Sequence, residues 1–409
     1  FEQLIDREPG NGDHWCGLAR ALAAQCCHRE AVACLLRGAD VDPASIACRS
    51  GLGHLLHELS RPEEAIHWHG EALALQPDSL LLRLNHLYVL PLIASCGPQI
   101  DQHRQRIEAG TAALLADPQL RLIPQHEGMA HTFRLAYHGQ NDRALLHAYG
   151  QLRQRGLAQL FPGESWRPRP QPERGERSRL RLGFISAFLE HNHTNTRAFE
   201  GLIRGLDRDR FEVVLLLIGG SAASLARQPL GLACEQVIAL PEELPLVWQR
   251  IVALDLDLLF YTDIGMHPFL HFLAPLRLAP LQVCGWGIPH SSGHVGIDHY
   301  ISSDLVEPAD ADAHYSESLI RLPGLPCCYL SDNLPSREVF PALGRDYFFL
   351  PDADTRLFGC LQHLQKLHPD FDAILEAIAR ELPQAGFVLV ESSEPGLTQL
   401  FLERVSVSA

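Results

Sequence analysis

No apolar run in this chain approaches the roughly 20 residues that a membrane-spanning helix needs, and the longest are broken by His, Arg or Pro. Positive charge is scarce as well: 34 Lys plus Arg stand against 49 Asp plus Glu, a formal net charge of −15. Such a chain lacks the basic footprint for holding nucleic acid irrespective of sequence, and equally for docking on an anionic membrane. Cys-x-x-Cys is absent, and the 11 cysteines are odd in number and scattered. The adjacent pairs Cys26-Cys27 and Cys327-Cys328 bridge internally only under strain. Cysteines of this kind read as small buried hydrophobes in a reducing compartment, the cytoplasm by default. There is no Gly-x-Gly-x-x-Gly after the first strand, no Gly-x-Ser-x-Gly elbow and no Walker motif. These absences disfavour a classical dinucleotide site, a hydrolase elbow and a phosphate loop. A secretory signal and an initiator Met are missing too. The chain opens at Phe1 inside a helical pattern, so it is expected to be a piece of something longer.

What is present is ordinary globular composition, 46% hydrophobic and 20% charged over 409 residues, enough for two or three domains. Pro9, Pro43 and Pro77 are spaced by 34 residues. Trp15, Leu18, Ala19, Leu22, Ala31, Leu35 and Gly38 form a pattern that Leu52, Gly53, Leu56, Ala65, His69 and Ala72 continue 34 residues on. Small residues where two helices cross, large apolar ones between them and proline at the turn make the tetratricopeptide unit. Repeats are expected over residues 1–79. Two units do not make a stable stack alone, so further repeats or a helical cap are implied. From Leu80 to about Leu160 helical periodicity continues without the register, as an irregular connector over 80–160.

The segment 161–179 is rich in Pro, Gly and charge and reads as a linker. Short β-rich runs then alternate with helical stretches: Arg181 to Ser186, Phe211 to Gly219, Glu235 to Leu240, Leu256 to Asp263, Leu281 to Gly287, Asp298 to Asp304 and Ser318 to Pro323. Continuous apolar strands with helical crossovers predict a parallel sheet covered on both faces, and ligands of such sheets sit outside the strands' carboxyl ends. The fold class is therefore α-helical repeats followed by α/β. A second α/β unit begins near Arg345, with only 63 residues after Asp346 (409 − 346).

The loops after those strands carry the polar residues. His191, Asn192, His193, Thr194, Asn195 and Thr196 precede a helix, a grouping that suits sugar hydroxyls or phosphate. The same loop also reads as a polar turn capped by Thr194 or Asn195, and a metal reading lacks a nearby carboxylate or Cys. Asp263, Gly265 and His267 follow the fourth strand. Gly285, Gly287, His290, Ser291, Ser292 and Gly293 follow the fifth, where glycine permits close backbone approach. Lys366, near the second unit's first strand-to-helix turn, reads as a cation for phosphate or as a solvated helix lysine.

Taken in order, "LAYHGQNDRALL", "RLGFISAFLEHNHT", "RGLDRDRFEVVLL", "FYTDIGMHPFLHFLAPLRLAPLQVCGWGIP", "IDHYISSDLVEP", "HYSESLIRLPGL" and "LQKLHPDFDAIL" resemble the SPINDLY and O-linked N-acetylglucosamine transferase family, glycosyltransferase family 41. The resemblance covers nearly the whole chain. It implies a GT-B fold, with a Rossmann-like domain at 180–344 and a second begun at 345–409. It also implies transfer of a sugar, GlcNAc first among candidates, from a UDP-sugar to protein Ser or Thr with inversion. By the same resemblance His193 and Asp298 are catalytic, while Lys366 and His363 hold the donor diphosphate. Thr194, His290, Ser291 and Ser292 are the candidate substrate contacts. The UDP-sugar is a co-substrate, and no metal or other cofactor is expected. Protein or peptide acceptors are expected on the concave face of the repeats, with no nucleic acid or membrane partner.

Two departures matter. Ile288 stands where many bacterial relatives have His. The chain also stops at Ala409, before the family's later donor-binding segments, so the UDP site as written is expected to be incomplete. The alternative is a non-catalytic tetratricopeptide interaction module with a degenerate transferase domain.

Overall fold

A computed structural model describes residues 1–408 apart from 120–131, 162, 168, 171–177, 190–192, 268, 331–343 and 352–353. The chain forms two compact units, Phe1–Gly139 with Phe340–Ala409, and Gln140–Val339.

The first unit opens with helices α1 (Glu2–Arg7), α2 (Gly12–Ala24), α3 (His28–Val41), α4 (Ile46–Glu58), α5 (Pro62–Leu75), α6 (Leu80–Leu87) and α7 (Gly97–Ala116). Helices α2 and α3 pair, then α4 and α5, each pair being one repeat. The N-caps recur with the repeat: Asn11, Ser45 and Ser79 each accept a backbone N–H from the first turn they precede. The register therefore runs one helix beyond the prolines that reveal it, into α6. Small residues sit where the helices cross. A Cβ on Gly53 would stand 2.5 Å from the His69 ring, and one on Gly38 would stand 2.5 Å from Cys48 Sγ. Ala19, Ala31, Leu35, Leu52, Leu56 and Ala65 form the core of these pairs. A fully buried Leu there contributes about 1.5–3 kcal/mol.

The second unit holds α8 (Arg143–Leu157), then β1 (Leu180–Ser186), α9 (Thr194–Arg204), β2 (Phe211–Ile218), the single turns α10 (Ala222–Leu225) and α11 (Pro229–Leu232), β3 (Gln236–Leu240), α12 (Leu244–Val252), β4 (Leu258–Tyr261), α13 (Leu270–Leu273), β5 (Leu281–Cys284), β6 (His299–Ser303) and β7 (Ser318–Leu322). Every pairing is parallel and the strand order is β3-β2-β1-β4-β5-β6-β7. Leu182, Phe184, Val213, Leu215, Leu217, Phe260 and Val283 pack with Phe199 and Ile203 of α9 to form its main core. Because the order reverses between β1 and β4, the carboxyl ends of those two strands flank the crevice where α/β sheets take their ligands.

The first unit closes with β8 (Leu357–Cys360), α14 (Asp370–Glu381), β9 (Gly386–Leu389) and α15 (Pro395–Ser408), the two strands pairing in parallel. Phe401 of α15 packs with Leu364, Leu367 and Ile93. Beside it Arg404 makes a two-pronged ion pair with Asp372, Nε to Oδ2 and Nη2 to Oδ1 at 2.9 Å each, and donates to the carbonyls of Ala94 and Leu367. Both side chains are buried. Asp372→Ala leaves that guanidinium charge uncompensated, which costs about 3–5 kcal/mol. Calorimetry is expected to show this unit melting earlier; an unshifted transition would remove the ion pair from the account of its stability. Among the described residues no helix is long and apolar enough to cross a membrane.

Candidate active site

The residue that opens α9 is His193. It is the N-cap: His193 Nδ1 accepts the Asn195 backbone N–H at 3.2 Å. An imidazole that accepts at Nδ1 carries its proton on Nε2 when neutral, so His193 is a hydrogen-bond donor at Nε2. Its ring stacks on Phe188 with centroids 4.5 Å apart and planes 14° from parallel. Thr194 is exposed in the first turn of α9. Neither Thr194 nor Asn195 supplies the cap. His191 and Asn192 lie outside the described residues.

Beneath this loop lies a buried polar knot. Asp263 follows β4 and is wholly buried. Its Oδ2 accepts the Ala187 N–H at 3.0 Å, and Oδ1 stands 3.3 Å from Thr262 Oγ1. Asn195 Nδ2 donates to Thr262 Oγ1 at 3.0 Å and to Ser186 Oγ at 3.3 Å, and Ser186 Oγ also accepts the Phe188 N–H. Burial pushes the Asp263 carboxyl up to about 7, against the hydrogen bonds that oppose the rise.

His267 also meets the Phe188 ring edge-on, with centroids 6.0 Å apart. Its Nδ1 accepts the Phe269 N–H, and Nε2 faces Glu242 Oε1 at 3.9 Å. Desolvation lowers its basicity, with Glu242 pulling the other way.

The loop after β5 is pressed against the loop after β4. A Cβ on Gly287 would overlap the Thr262 carbonyl, and Gly265, at φ +90°, makes room for the buried Ile288 side chain. Farther along, the structure gives two of the candidate substrate contacts another partner. Ser291 and Ser292 are buried and spent on Glu317: Ser291 Oγ donates to Oε2 at 2.7 Å, while the Ser292 hydroxyl and N–H both donate to Oε1. Their hydroxyls hold a buried carboxylate and are not presented to a substrate. His290 is buried as well, its Nδ1 paired with the Ser291 carbonyl at 2.8 Å.

Asp298 is likewise placed elsewhere. It precedes β6 and so lies at the amino edge of the sheet, opposite the crevice. It accepts from Arg277 Nη1 at 2.8 Å and from the Gln282 N–H at 2.9 Å. Laterally β6 is three strands from β1, about 14 Å at ~4.8 Å per strand. Asp298 is not brought to His193; its geometry is that of a brace between β5 and β6.

In the other unit, Lys366 ends a short 3₁₀ turn between β8 and α14, exposed, with Nζ 5.9 Å from the centre of the Tyr137 ring. His363 is exposed at the start of that turn. Both follow the carboxyl end of β8, where a phosphate-binding loop belongs. Lys366 is also the single lysine among 34 Lys plus Arg. That count, open to a reader of the sequence, marks the position more sharply than its neighbours do. The roles of Ser186, Thr262 and Glu317 carry no such mark, because each also has a partner distant in sequence, Asn195 for Ser186, the Ile185 carbonyl for Thr262 and Ser291 for Glu317, at separations of 9, 77 and 26 residues.

A parallel α/β sheet with an imidazole at its switch point, on a chain that starts in tetratricopeptide-type helices, defines a class of repeat-bearing α/β folds. No protein-family model matches the chain. In sequence it is similar to a probable UDP-N-acetylglucosamine–peptide N-acetylglucosaminyltransferase SEC of Arabidopsis thaliana, 24% identical over 236 residues, covering 56% of this chain and 23% of the relative. The chain thus spans less than a quarter of that relative's length. In fold it is similar to a Thermobaculum terrenum O-GlcNAc transferase solved as a lysine-to-methionine mutant, with TM-score 0.61 and 20% identity, covering 97% of this chain and 72% of that one. The two comparisons together support the resemblance to the SPINDLY and O-GlcNAc transferase family that the motifs carry.

Proposed function

We propose that the chain serves a protein O-glycosyltransferase, moving a sugar, GlcNAc in our reading, from a UDP-sugar to Ser or Thr of a protein acceptor with inversion. The observation that carries this reading is the His193 imidazole, fixed by the α9 N-terminus at the sheet's switch point in a fold similar to that of an O-GlcNAc transferase. Its Nε2–H is suited to donate to an oxygen that gains charge as the sugar departs. Lys366 supplies the cation for the diphosphate, with His363 beside it, so that no metal is invoked. Acceptor proteins bind along the concave face of the repeats. The eleven unbridged cysteines suit a reducing compartment, and we place the protein in the cytoplasm.

The test is transfer from labelled UDP-GlcNAc to protein acceptors. His193→Ala is expected to lower kcat by about 10²–10³-fold, the usual cost of one preorganised donor. His193→Gln keeps a donor and recovers part of that loss, which a general base would not permit. Undiminished transfer by His193→Ala sinks the assignment.

A second reading has its own observation. The β5 loop offers buried Ile288 and His290 and two serines occupied by Glu317, so that it presents few polar groups to a sugar. On this reading the protein binds partners through its repeats without catalysis. UDP binding with no transfer by the wild-type protein would favour it.

A further inference from the structure

The knot under the His193 loop joins two elements that the proposed reaction needs held still, and its hydroxyl at Thr262 has two alternative acceptors. Thr262 Oγ1 lies 3.3 Å from Asp263 Oδ1 and 3.3 Å from the Ile185 carbonyl, and it has one hydrogen to give. With Asp263 ionised, that hydrogen goes to the carboxylate and the Thr262 lone pairs face the Asn195 amide. With Asp263 protonated, the acid's own O–H points to Thr262 Oγ1, whose hydrogen then turns to Ile185. Asn195 feels the change because its Nδ2 donates to the same oxygen, and Asn195 is the residue whose backbone N–H binds His193 Nδ1.

We propose that Asp263 is a positioning residue for His193, acting through Thr262 and Asn195 as a proton-linked latch between β4 and the start of α9. The proposal rests on reading His193 as the site imidazole. Asp263 does not touch a substrate, being fully buried, so it is not itself a catalytic residue.

Among the described residues, the groups that face Asp263 are few. From the end of β1 come Ser186 and the Ala187 N–H, from its own strand Thr262, and from the loop after β5 the Gly287 backbone. Among the described residues, the titratable side chains near the knot are His193 itself and His267, the latter turned toward Glu242. No charged side chain pairs with the carboxyl among the described residues, which leaves burial as the cause of its raised value. The sign follows directly. The native carboxyl keeps its proton up to about 7, whereas the unfolded one loses it in the ordinary carboxylate range. Stability therefore falls as pH rises between those values and levels above the higher one.

The experiment is an imidazole NMR titration of the whole protein carrying labelled histidine, with the His193 signal identified by its loss in His193→Gln. Wild type is expected to show, on the His193 signal, a second inflection near pH 7 that reports Asp263. Asp263→Asn abolishes that inflection and flattens the fall in melting temperature between about pH 4 and 7. If Asp263→Asn does not fold, Thr262→Val, of nearly the same shape, is read instead; it is expected to shrink the second inflection at least twofold. A His193 curve unchanged by either substitution overturns the latch. Because the titration needs neither UDP-sugar nor acceptor, absence of transfer would defeat the functional reading and leave the latch to its own result.

Discussion

Lys366→Ala is expected to weaken UDP binding by about 10–150-fold while leaving the melting temperature where it was. The two halves of that expectation come from different observations. Lys366 is exposed at the carboxyl end of β8, and its described contact is the face of Tyr137, so the folded state loses little when the side chain is cut back. A charge-assisted hydrogen bond to a diphosphate oxygen is worth about 1.5–3 kcal/mol, which converts to the stated range of affinity. Arginine fills every other basic position of the 34, so ordinary surface charge in this chain is supplied by arginine. A lysine kept at one loop is accounted for by the compact ammonium, which approaches a phosphate as a point charge where a planar fork does not fit. Lys366→Arg is therefore expected to recover only part of the affinity. Calorimetric titration with UDP measures all three proteins. Because the chain has one lysine, protection of that single side chain from an amine reagent by UDP is a second readout. Equal UDP affinity in Lys366→Ala and wild type removes Lys366 from the donor site.

The strands were readable because a parallel sheet buried on both faces demands unbroken apolar runs. Phe211 to Ile218 and Leu180 to Ser186 have no other economical explanation. The repeat was readable from three prolines, yet its third N-cap, Ser79, was not, since a single serine before an apolar run is common and only the spacing from Ser45 gives it meaning. Asp298 shows a different kind of miss. It precedes its strand, and in a parallel sheet the residue before a strand lies at the amino edge; that rule alone directs it away from the crevice, whatever motif surrounds it. Ser291 and Ser292 could not have been excluded by any local rule. Their partner Glu317 is 25 or 26 residues on, and only the fold brings that carboxylate against them. The burial of Asp263 was equally hidden. A polar Thr-Asp pair closing an apolar strand suggests an exposed loop, and it is the β5 loop folding over it that removes the water.

That covering loop yields the second large effect. Gly287→Ala is expected to lower the melting temperature of the Gln140–Val339 unit sharply and to disorder the His193 latch with it. The added methyl overlaps the Thr262 carbonyl and stands 3.1 Å from the Asp263 backbone nitrogen, and both obstacles are backbone that no rotamer change relieves. Overpacking of this kind costs about 1–3 kcal/mol where side chains give way and more where they do not. Taking about 3 kcal/mol as the least here, a unit of this size loses roughly 6–12 °C. Thr262 cannot retreat freely, because its carbonyl and hydroxyl belong to the segment that also holds Asp263 and Asn195. The loss therefore reaches the His193 loop, and Asp263 gains water, so its carboxyl is expected to return toward the ordinary range. Gly324→Ala is the control in the same unit: a Cβ there meets nothing within 4 Å, and its effect is expected within about 0.5 kcal/mol of zero. Differential scanning calorimetry of the two variants decides the matter. If Gly287→Ala melts with wild type, the β4 and β5 loops are not in the contact described, and the buried state of Asp263, with everything inferred from it, is withdrawn.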